Sequence, residues 1–168
     1  MELTTPISEQ DINKLQVGNI ISITGYIYTG RDAVLPKIVQ ACDTGNIHNI
    51  NINLQGSVIF HTAVSVAGIG PTSSNKLEIE DSIRKLSKYG VKIHLGKGSI
   101  SPETIQELKE QNSIYAIIPP VTALLASKTT KKTLVAYPEL GMEAMYRIHV
   151  NKYEIIVAAA HGESIYDR

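Results

Sequence analysis

Residues 76–120, KLEIEDSIRKLSKYGVKIHLGKGSISPETIQELKEQNSIYAIIPP, switch repeatedly between helical and extended patterns, and this alternation decides the predicted fold. The first part predicts a helix that ends at Gly90, because its apolar residues share helical spacing. VKIHL (91–95) then predicts a short strand. Ser101 is the expected cap of a second helix, with Pro102 at its first position. SIYAIIPP (113–120) predicts a buried strand that ends at a double proline.

Outward from this stretch, strands dominate both ends of the chain. IISITGYIYT (20–29) predicts a strand bulged at its glycine, because Ile, Thr and Tyr favour extended backbone. The other elements predicted before the central stretch are a Ser8-capped helix over 9–15, a helix over 31–42 and a strand over 57–68. Those predicted after it are a helix over 121–132, an extended segment over 133–140 and two strands over 141–150 and 152–160. This arrangement predicts one α/β domain over residues 1–168, with a mixed sheet flanked by helices.

Composition narrows the functional classes. The 168 residues carry 16 Lys and Arg against 16 Asp and Glu, which argues against a nucleic-acid partner held by excess positive charge. Cys42 is the single cysteine, so the chain alone forms no internal disulfide and no cysteine-based metal or iron–sulfur site. No stretch approaches the roughly 20 apolar residues of a membrane span, and the N-terminus does not read as a signal peptide. We therefore expect a cytoplasmic protein that is not membrane-bound.

Cations and hydroxyls lie at the predicted turns from strand to helix. Arg31 stands in YTGRD, Thr72, Ser73 and Lys76 stand in GPTSSNK, and Lys97 stands in GKGS. Ligands of α/β proteins gather at the carboxyl ends of strands, and an arginine can bind a carboxylate through two nitrogens. Two cationic groups with hydroxyls between them are what a pocket for a small dicarboxylate requires.

Each of these motifs also has a structural interpretation. Asp32 can cap a helix and leave Arg31 as a surface charge, and Asn75 with Glu78 can form a capping box. GKGS is too short for a P-loop. Among the histidines, His161 in AAAHGES is an acid–base candidate because it follows a strand and precedes a glycine. The residues alone leave these alternatives open.

Four motifs in order, YTGRD, GPTSSNKLE, GKG and LGMEAM, resemble the C-terminal domain or β subunit of class I fumarases and L-tartrate dehydratases, the iron–sulfur hydro-lyases. The resemblance covers nearly the whole chain. It implies the swivelling β/β/α fold and a separate α subunit that holds a [4Fe-4S] cluster through three cysteines. It also implies a hetero-oligomer, with self-association as the alternative when the chain is alone.

The resemblance assigns roles to residues of this chain. Arg31, Lys76 and Lys97 would contact the substrate, Thr72 would remove its proton, Ser73 would keep a second hydroxyl, and Lys97 would also share in catalysis. Two departures stand out: Lys76 replaces the family's usual arginine, and Leu35 replaces a histidine. The predicted reaction is reversible hydration of fumarate to L-malate, with L-tartrate dehydration, a non-catalytic dicarboxylate-binding module and a scaffold for the α subunit as alternatives.

Overall fold

The computed structural model describes residues 1–65, 68–69, 76–118 and 127–167. Thr72, Ser73 and part of the predicted helix over 121–132 lie outside these residues. The helices are α1 (Glu9–Asn13), α2 (Leu35–Asp43), α3 (Lys76–Lys88) and α4 (Pro102–Glu110). Short 3-10 helices cover Asn46–Asn49, Pro138–Glu143 and Ile165–Asp167. The strands are β1 (Glu2–Thr4), β2 (Ile20–Thr29), β3 (Val58–Phe60), β4 (Val64–Ser65), β5 (Gly68–Ile69), β6 (Ile93–Gly96), β7 (Ile114–Ile117), β8 (Thr129–Ala136), β9 (Met145–Ala160) and β10 (Glu163–Ser164).

Strands β2, β3, β6 and β7 lie side by side and run parallel, as the alternation of helix and strand predicts. The long strand β9 pairs antiparallel with β7 and also with β2, so the pairings form a closed circuit. β1 extends β2 in parallel, while β8 and β10 pair antiparallel with β9. The expected mixed sheet of an α/β protein is confirmed.

Successive side chains of each strand point to opposite faces of the sheet, so the core has an inner and an outer layer. Side chains from alternate positions of β2, β3, β6, β7 and β9 form the inner cluster, which includes Phe60, Leu95 and Tyr153. The intervening positions face the helices: Ile59 packs with α2 residues, and Tyr115 packs with Ile83 of α3. Since connections between parallel strands place helices on the outer face, α2, α3 and α4 cover that side, and successive parallel strands end at one common edge.

The starts of α1 and α4 follow capping chemistry closely. Ser8 accepts from the Asp11 N–H (3.0 Å) while the Asp11 carboxylate accepts from the Ser8 N–H (3.1 Å), which completes a capping box at α1. Ser101 caps α4 with Pro102 in its first turn. These two helix starts confirm the predictions made from the cap residues.

Several predicted elements are wrong in extent. The predicted helix over 121–132 gives way to β8 from Thr129 onward, because this β-branched segment pairs along β9. The predicted strand over 57–68 divides into β3 and a separate β4–β5 hairpin. The two predicted strands after residue 140 form one strand, β9, which holds Lys152 at a positive φ of 55°.

The predicted bulge lies at the expected place, but the extra residue belongs to the opposite strand. Ile23 pairs with Tyr153 and Gly25 with Val150, so two steps in β2 face three steps in β9. The Lys152 N–H donates to the Thr24 hydroxyl (3.0 Å) at this point. The bulge bends β9 at the point where the two predicted strands were divided.

Candidate functional site

The site is built at the carboxyl edge of the parallel strands. Arg31 follows β2, His61 follows β3 and Lys97 follows β6. The Gly30 N–H donates to the Phe60 carbonyl (3.0 Å), and the His61 N–H donates to the Leu95 carbonyl (2.9 Å). These bonds hold the three strand ends side by side, so the predicted Arg31 and Lys97 do share one edge, with His61 between their strands.

The Arg31 guanidinium is held by Glu143. Its Nε donates to both carboxylate oxygens, at 2.8 Å and 2.9 Å, and its terminal Nη2 also pairs with Oε1. Both side chains retain 24% of their exposure. The Glu143 carboxylate raises the pKa of Arg31 against the opposing effect of desolvation. Arg31 is therefore a fixed, permanently charged group and not a loose surface cation.

Glu143 is a residue of the candidate site that sequence reasoning missed. It lies 112 positions from Arg31 in the chain, within the LGMEAM motif. The motif served as a family marker, and nothing in its residue types assigned the carboxylate a partner. Gly141 adopts φ 61° and ψ −123° inside the Pro138–Glu143 segment, a conformation open essentially to glycine. The kink at this glycine immediately precedes the turn that carries Glu143.

The Lys97 loop is shaped by its neighbours. A β-carbon on Gly96 would lie 2.9 Å from the Tyr115 hydroxyl, so only glycine admits this close approach. That hydroxyl donates to the Lys97 carbonyl (3.0 Å). Farther along, the Glu80 carboxylate accepts from the Ser101 N–H (2.7 Å) and the Thr104 hydroxyl (2.8 Å). The backbone is thus anchored on both sides of Lys97 while its side chain remains exposed.

Of the GPTSSNK motif, residues 70–76, the structure describes only the backbone of the last residue. Lys76 is the first residue of α3, and its side chain lies outside the described part of the chain, as do Thr72 and Ser73. α3 enters the outer layer after the loop that follows β3. The chain order β3, loop, α3 therefore brings the start of α3 to the same edge as Arg31 and Lys97.

His161 lies at the opposite edge. It follows β9, whose last residues pair with the start of β7. Its Nε2 donates to the Leu15 carbonyl (2.9 Å), and its backbone φ is 54°. The acid–base candidate of the sequence is therefore separated from Arg31 by the length of the strands.

A buried histidine pair lies beneath the edge. His61 Nε2 and His94 Nδ1 are 3.1 Å apart, and His94 Nε2 is 2.9 Å from the Ser87 hydroxyl. Burial lowers the pKa of His61 to about 4. Burial, and then the neighbouring His61, lower the pKa of His94 well below its usual range. Both rings are consequently neutral at physiological pH.

We expect acid to destabilise the fold through this pair. The ordinary His61 pKa of 6.5 applies to the unfolded chain and about 4 to the folded one, so the unfolded state binds more protons between those values. The stability due to neutral His61 is complete above pH 6.5 and is lost as the pH falls toward 4. Roughly 2 kcal/mol disappears by about pH 5.

Urea unfolding at a series of pH values checks this expectation. His61→Gln should flatten the dependence of the unfolding free energy on pH, because Gln does not titrate. His48→Gln is the matched control, since His48 is exposed. Equal slopes in wild type and His61→Gln would contradict the assignment.

Within residues 1–65, 68–69, 76–118 and 127–167, no cluster of three His, Cys, Asp or Glu side chains is placed to hold a metal ion. Cys42 lies near the end of α2, away from the edge that carries Arg31, and burial raises the pKa of its thiol. A thiol held in its protonated form is a poor metal ligand. No helix in the described part of the chain is both long and apolar enough to cross a membrane.

A family model and individual relatives match this chain over nearly its whole length. The model of the family described as Fumarase C-terminus matches residues 1–168. The chain is 30% identical to "Putative fumarate hydratase class I" of Geobacillus stearothermophilus, over 98% of this chain and 33% of that protein. The chain thus spans about a third of that relative's length.

Two further relatives are matched over most of their own length. The chain is 29% identical to "Putative L(+)-tartrate dehydratase subunit beta" of Methanocaldococcus jannaschii, over 99% of this chain and 92% of that protein. It is 27% identical to the L(+)-tartrate dehydratase subunit beta of Escherichia coli K12, over 97% of this chain and 85% of the relative.

Proposed function

The chain belongs to the Fumarase C-terminus family, and from this premise we propose that it is the β subunit of a [4Fe-4S]-dependent hydro-lyase. The reaction is reversible hydration of a C4 dicarboxylate, with fumarate and L-malate as the first substrate pair. L-tartrate dehydration is the second candidate, supported by the two relatives named as β subunits of that enzyme. The domain is a single swivelling β/β/α unit over residues 1–168, active in the cytoplasm only with its α subunit.

One observation carries the proposal. The Arg31–Glu143 pair joins YTGRD to LGMEAM at the edge where the Lys97 loop also ends a strand. A guanidinium presents its N–H donors in a planar fork that matches the geometry of a carboxylate. Arg31 binds one substrate carboxylate, and Lys97 and Lys76 provide positive charge for the other. Thr72 and Ser73 supply the hydroxyls between them, with Thr72 removing the proton.

The cluster belongs to the proposed α subunit. The described residues of this chain offer no set of donors that fits it, and Cys42 lies away from the site. When bound, such a cluster supplies a Lewis-acidic iron for the substrate hydroxyl. This chain's part is to fix the carboxylates, orient the carbon that loses a proton, and receive that proton.

An anaerobic assay of the reconstituted pair tests the proposal. L-malate, fumarate and L-tartrate are offered in turn, and Thr72→Ala is measured beside Thr44→Ala, whose hydroxyl caps the far end of α2. Turnover that survives in Thr44→Ala and is lost in Thr72→Ala supports the proposal and identifies the substrate. Turnover with none of the three acids contradicts the C4 hydro-lyase assignment, and unchanged turnover in Thr72→Ala removes that residue from catalysis.

Glu143→Gln should weaken substrate binding more than it slows turnover. The amide keeps the side-chain shape but loses the charge that orients the Arg31 fork. We expect KM for the dicarboxylate to rise about tenfold, equivalent to about 1.4 kcal/mol, with a smaller change in kcat. Steady-state kinetics of the pair check this, with the exposed Glu139→Gln of the same segment as control. A lower KM would mean that Glu143 competes with substrate for Arg31.

A further inference from the structure

A buried ring nitrogen of His61 next to the site has no hydrogen-bond partner among the described residues. His61 is 1% exposed, and its Nδ1 makes no hydrogen bond with any described residue. Leaving a buried polar atom unsatisfied costs about 1–3 kcal/mol, so native proteins pair the great majority of them. An orphaned imidazole nitrogen beside a candidate site is therefore evidence of a group that binds there.

The hydrogen-bond chain behind His61 sets which form of the ring is present. The Ser87 hydroxyl donates to the Ile83 carbonyl (2.8 Å), so its oxygen accepts from His94 Nε2–H. His94 Nδ1 is then the acceptor, and it receives the proton of His61 Nε2. This leaves Nδ1 of His61 unprotonated, with a lone pair that can accept. The opposite direction would bury an N–H donor without an acceptor and break the bond from Ser87 to Ile83.

The chain of bonds leads toward the carboxyl edge. Ser87 lies near the end of α3, His94 lies within β6, and His61 is the first residue beyond β3. The His61 backbone is bonded to Leu95, two residues before Lys97, and the preceding Phe60 is bonded to Gly30, next to Arg31. His61 thus stands between the two predicted cationic ligands of the substrate.

We infer that His61 is the acceptor, through Nδ1, for the proton of a hydroxyl group at this edge, and that His94 and Ser87 fix its tautomer. The inference rests on the proposed function and deepens it. The hydroxyl is either that of a residue of the chain such as Thr72, which passes its proton to His61, or that of the bound hydroxy acid, which only donates a hydrogen bond. A threonine hydroxyl is too weak an acid to act as a base unaided, and a neutral imidazole is the acceptor that it needs.

The proton transfer balances in the Thr72 case as follows. The substrate C–H bond breaks and an O–H bond forms on Thr72, while the original Thr72 O–H bond breaks and an N–H bond forms on His61. The electron pair left on carbon expels the hydroxyl from the neighbouring carbon. That hydroxide and the proton now on His61 together make up the water of the net reaction, and hydration follows the same steps in reverse.

Two amide substitutions separate the acceptor role from simple packing. His61→Gln reaches His94 with its amide but removes the acceptor at Nδ1, whereas His61→Asn places an amide oxygen near the Nδ1 position. We expect kcat of the pair to fall at least about 10²-fold in His61→Gln, with KM unchanged and a smaller loss in His61→Asn. Wild-type kcat in His61→Gln would overturn the inference.

Adding Thr72→Ala identifies the source of the hydroxyl. If His61 acts through Thr72, the double variant is no slower than the slower single variant, because both residues serve one transfer. If His61 instead only accepts a hydrogen bond from the substrate hydroxyl, which keeps its proton as it leaves, the two losses multiply because the two residues act on different atoms. Both patterns require an acceptor at His61.

Nitrogen NMR of the full chain provides a readout that does not depend on activity. We expect the His61 ring to be neutral, with Nε2 protonated and Nδ1 bare, and Ser87→Ala to mix the two tautomers. A protonated Nδ1 in the wild-type chain would overturn the inference. Absence of turnover in the wild-type pair would instead count against the proposed function and would leave the tautomer result standing.

Discussion

Arg31→Ala is expected to reduce kcat/KM of the assembled pair by about 10²- to 10³-fold, equivalent to roughly 3–4 kcal/mol. The reason is the loss of a fixed, charged fork that binds a substrate carboxylate through more than one nitrogen. Glu143 holds this fork in place through Nε. Arg31→Lys should recover only part of the loss, because a lysine is a point charge without the fork.

Steady-state kinetics with the substrate found active check the Arg31 prediction. Arg147→Ala is the matched control, because that guanidinium stacks 4.9 Å from the Tyr26 ring and has no assigned contact with substrate. Co-elution of each variant with the α subunit shows that assembly survives. Wild-type kcat/KM in an assembled Arg31→Ala pair would limit Arg31 to a structural role in its pair with Glu143 and would favour the scaffold interpretation.

Of the substitutions considered, Phe60→Ala should lower the free energy of unfolding most. Phe60 is the single phenylalanine of the chain, is fully buried, and fills the inner cluster between the parallel strands and β9. Removing an aromatic side chain from such a core costs about 3–5 kcal/mol through lost burial and the cavity left behind. The same residue precedes His61, so its loss also loosens the carboxyl edge.

Urea unfolding monitored by circular dichroism measures this effect. Phe60→Leu keeps part of the volume and should lose less, while Tyr166→Ala removes an aromatic ring that is 48% exposed and should change the unfolding free energy little. A Phe60→Ala chain within about 1 kcal/mol of wild type would contradict the description of the inner cluster as one closely packed core.

The parts of the fold that depend on local chemistry were predictable. Ser8 and Ser101 cap helices where their hydroxyls precede helical patterns, and the strand Ile20–Thr29 has the bounds that its β-branched residues indicate. Predictions failed where a distant strand determines the conformation. Thr129 and Thr130 lie in β8 because β9 offers a partner, and β9 continues past Lys152 because β2 continues to pair with it.

The residues of the candidate site likewise differ in whether local sequence or a distant contact determines their role. Arg31 and Lys97 could be proposed from local sequence, because a cation that directly follows a predicted strand is placed where α/β proteins bind ligands. Glu143 could not, since its role depends on a contact across 112 positions. His61 and His94 lie beside and within strands and are buried, so their positions alone do not distinguish them from structural core histidines. Only the structure shows that Nδ1 of His61 has no partner among the described residues, and the direction of the bonds behind it makes that nitrogen an acceptor.

The most direct test of the account is a crystal structure of the assembled pair with a bound C4 dicarboxylate. We predict one carboxylate within hydrogen-bond distance of the Arg31 guanidinium and the other beside the Lys97 loop, with the Arg31–Glu143 pair retained. A dicarboxylate bound without any contact to the carboxyl edge of β2, β3 and β6 would contradict the claim that this chain supplies the substrate site.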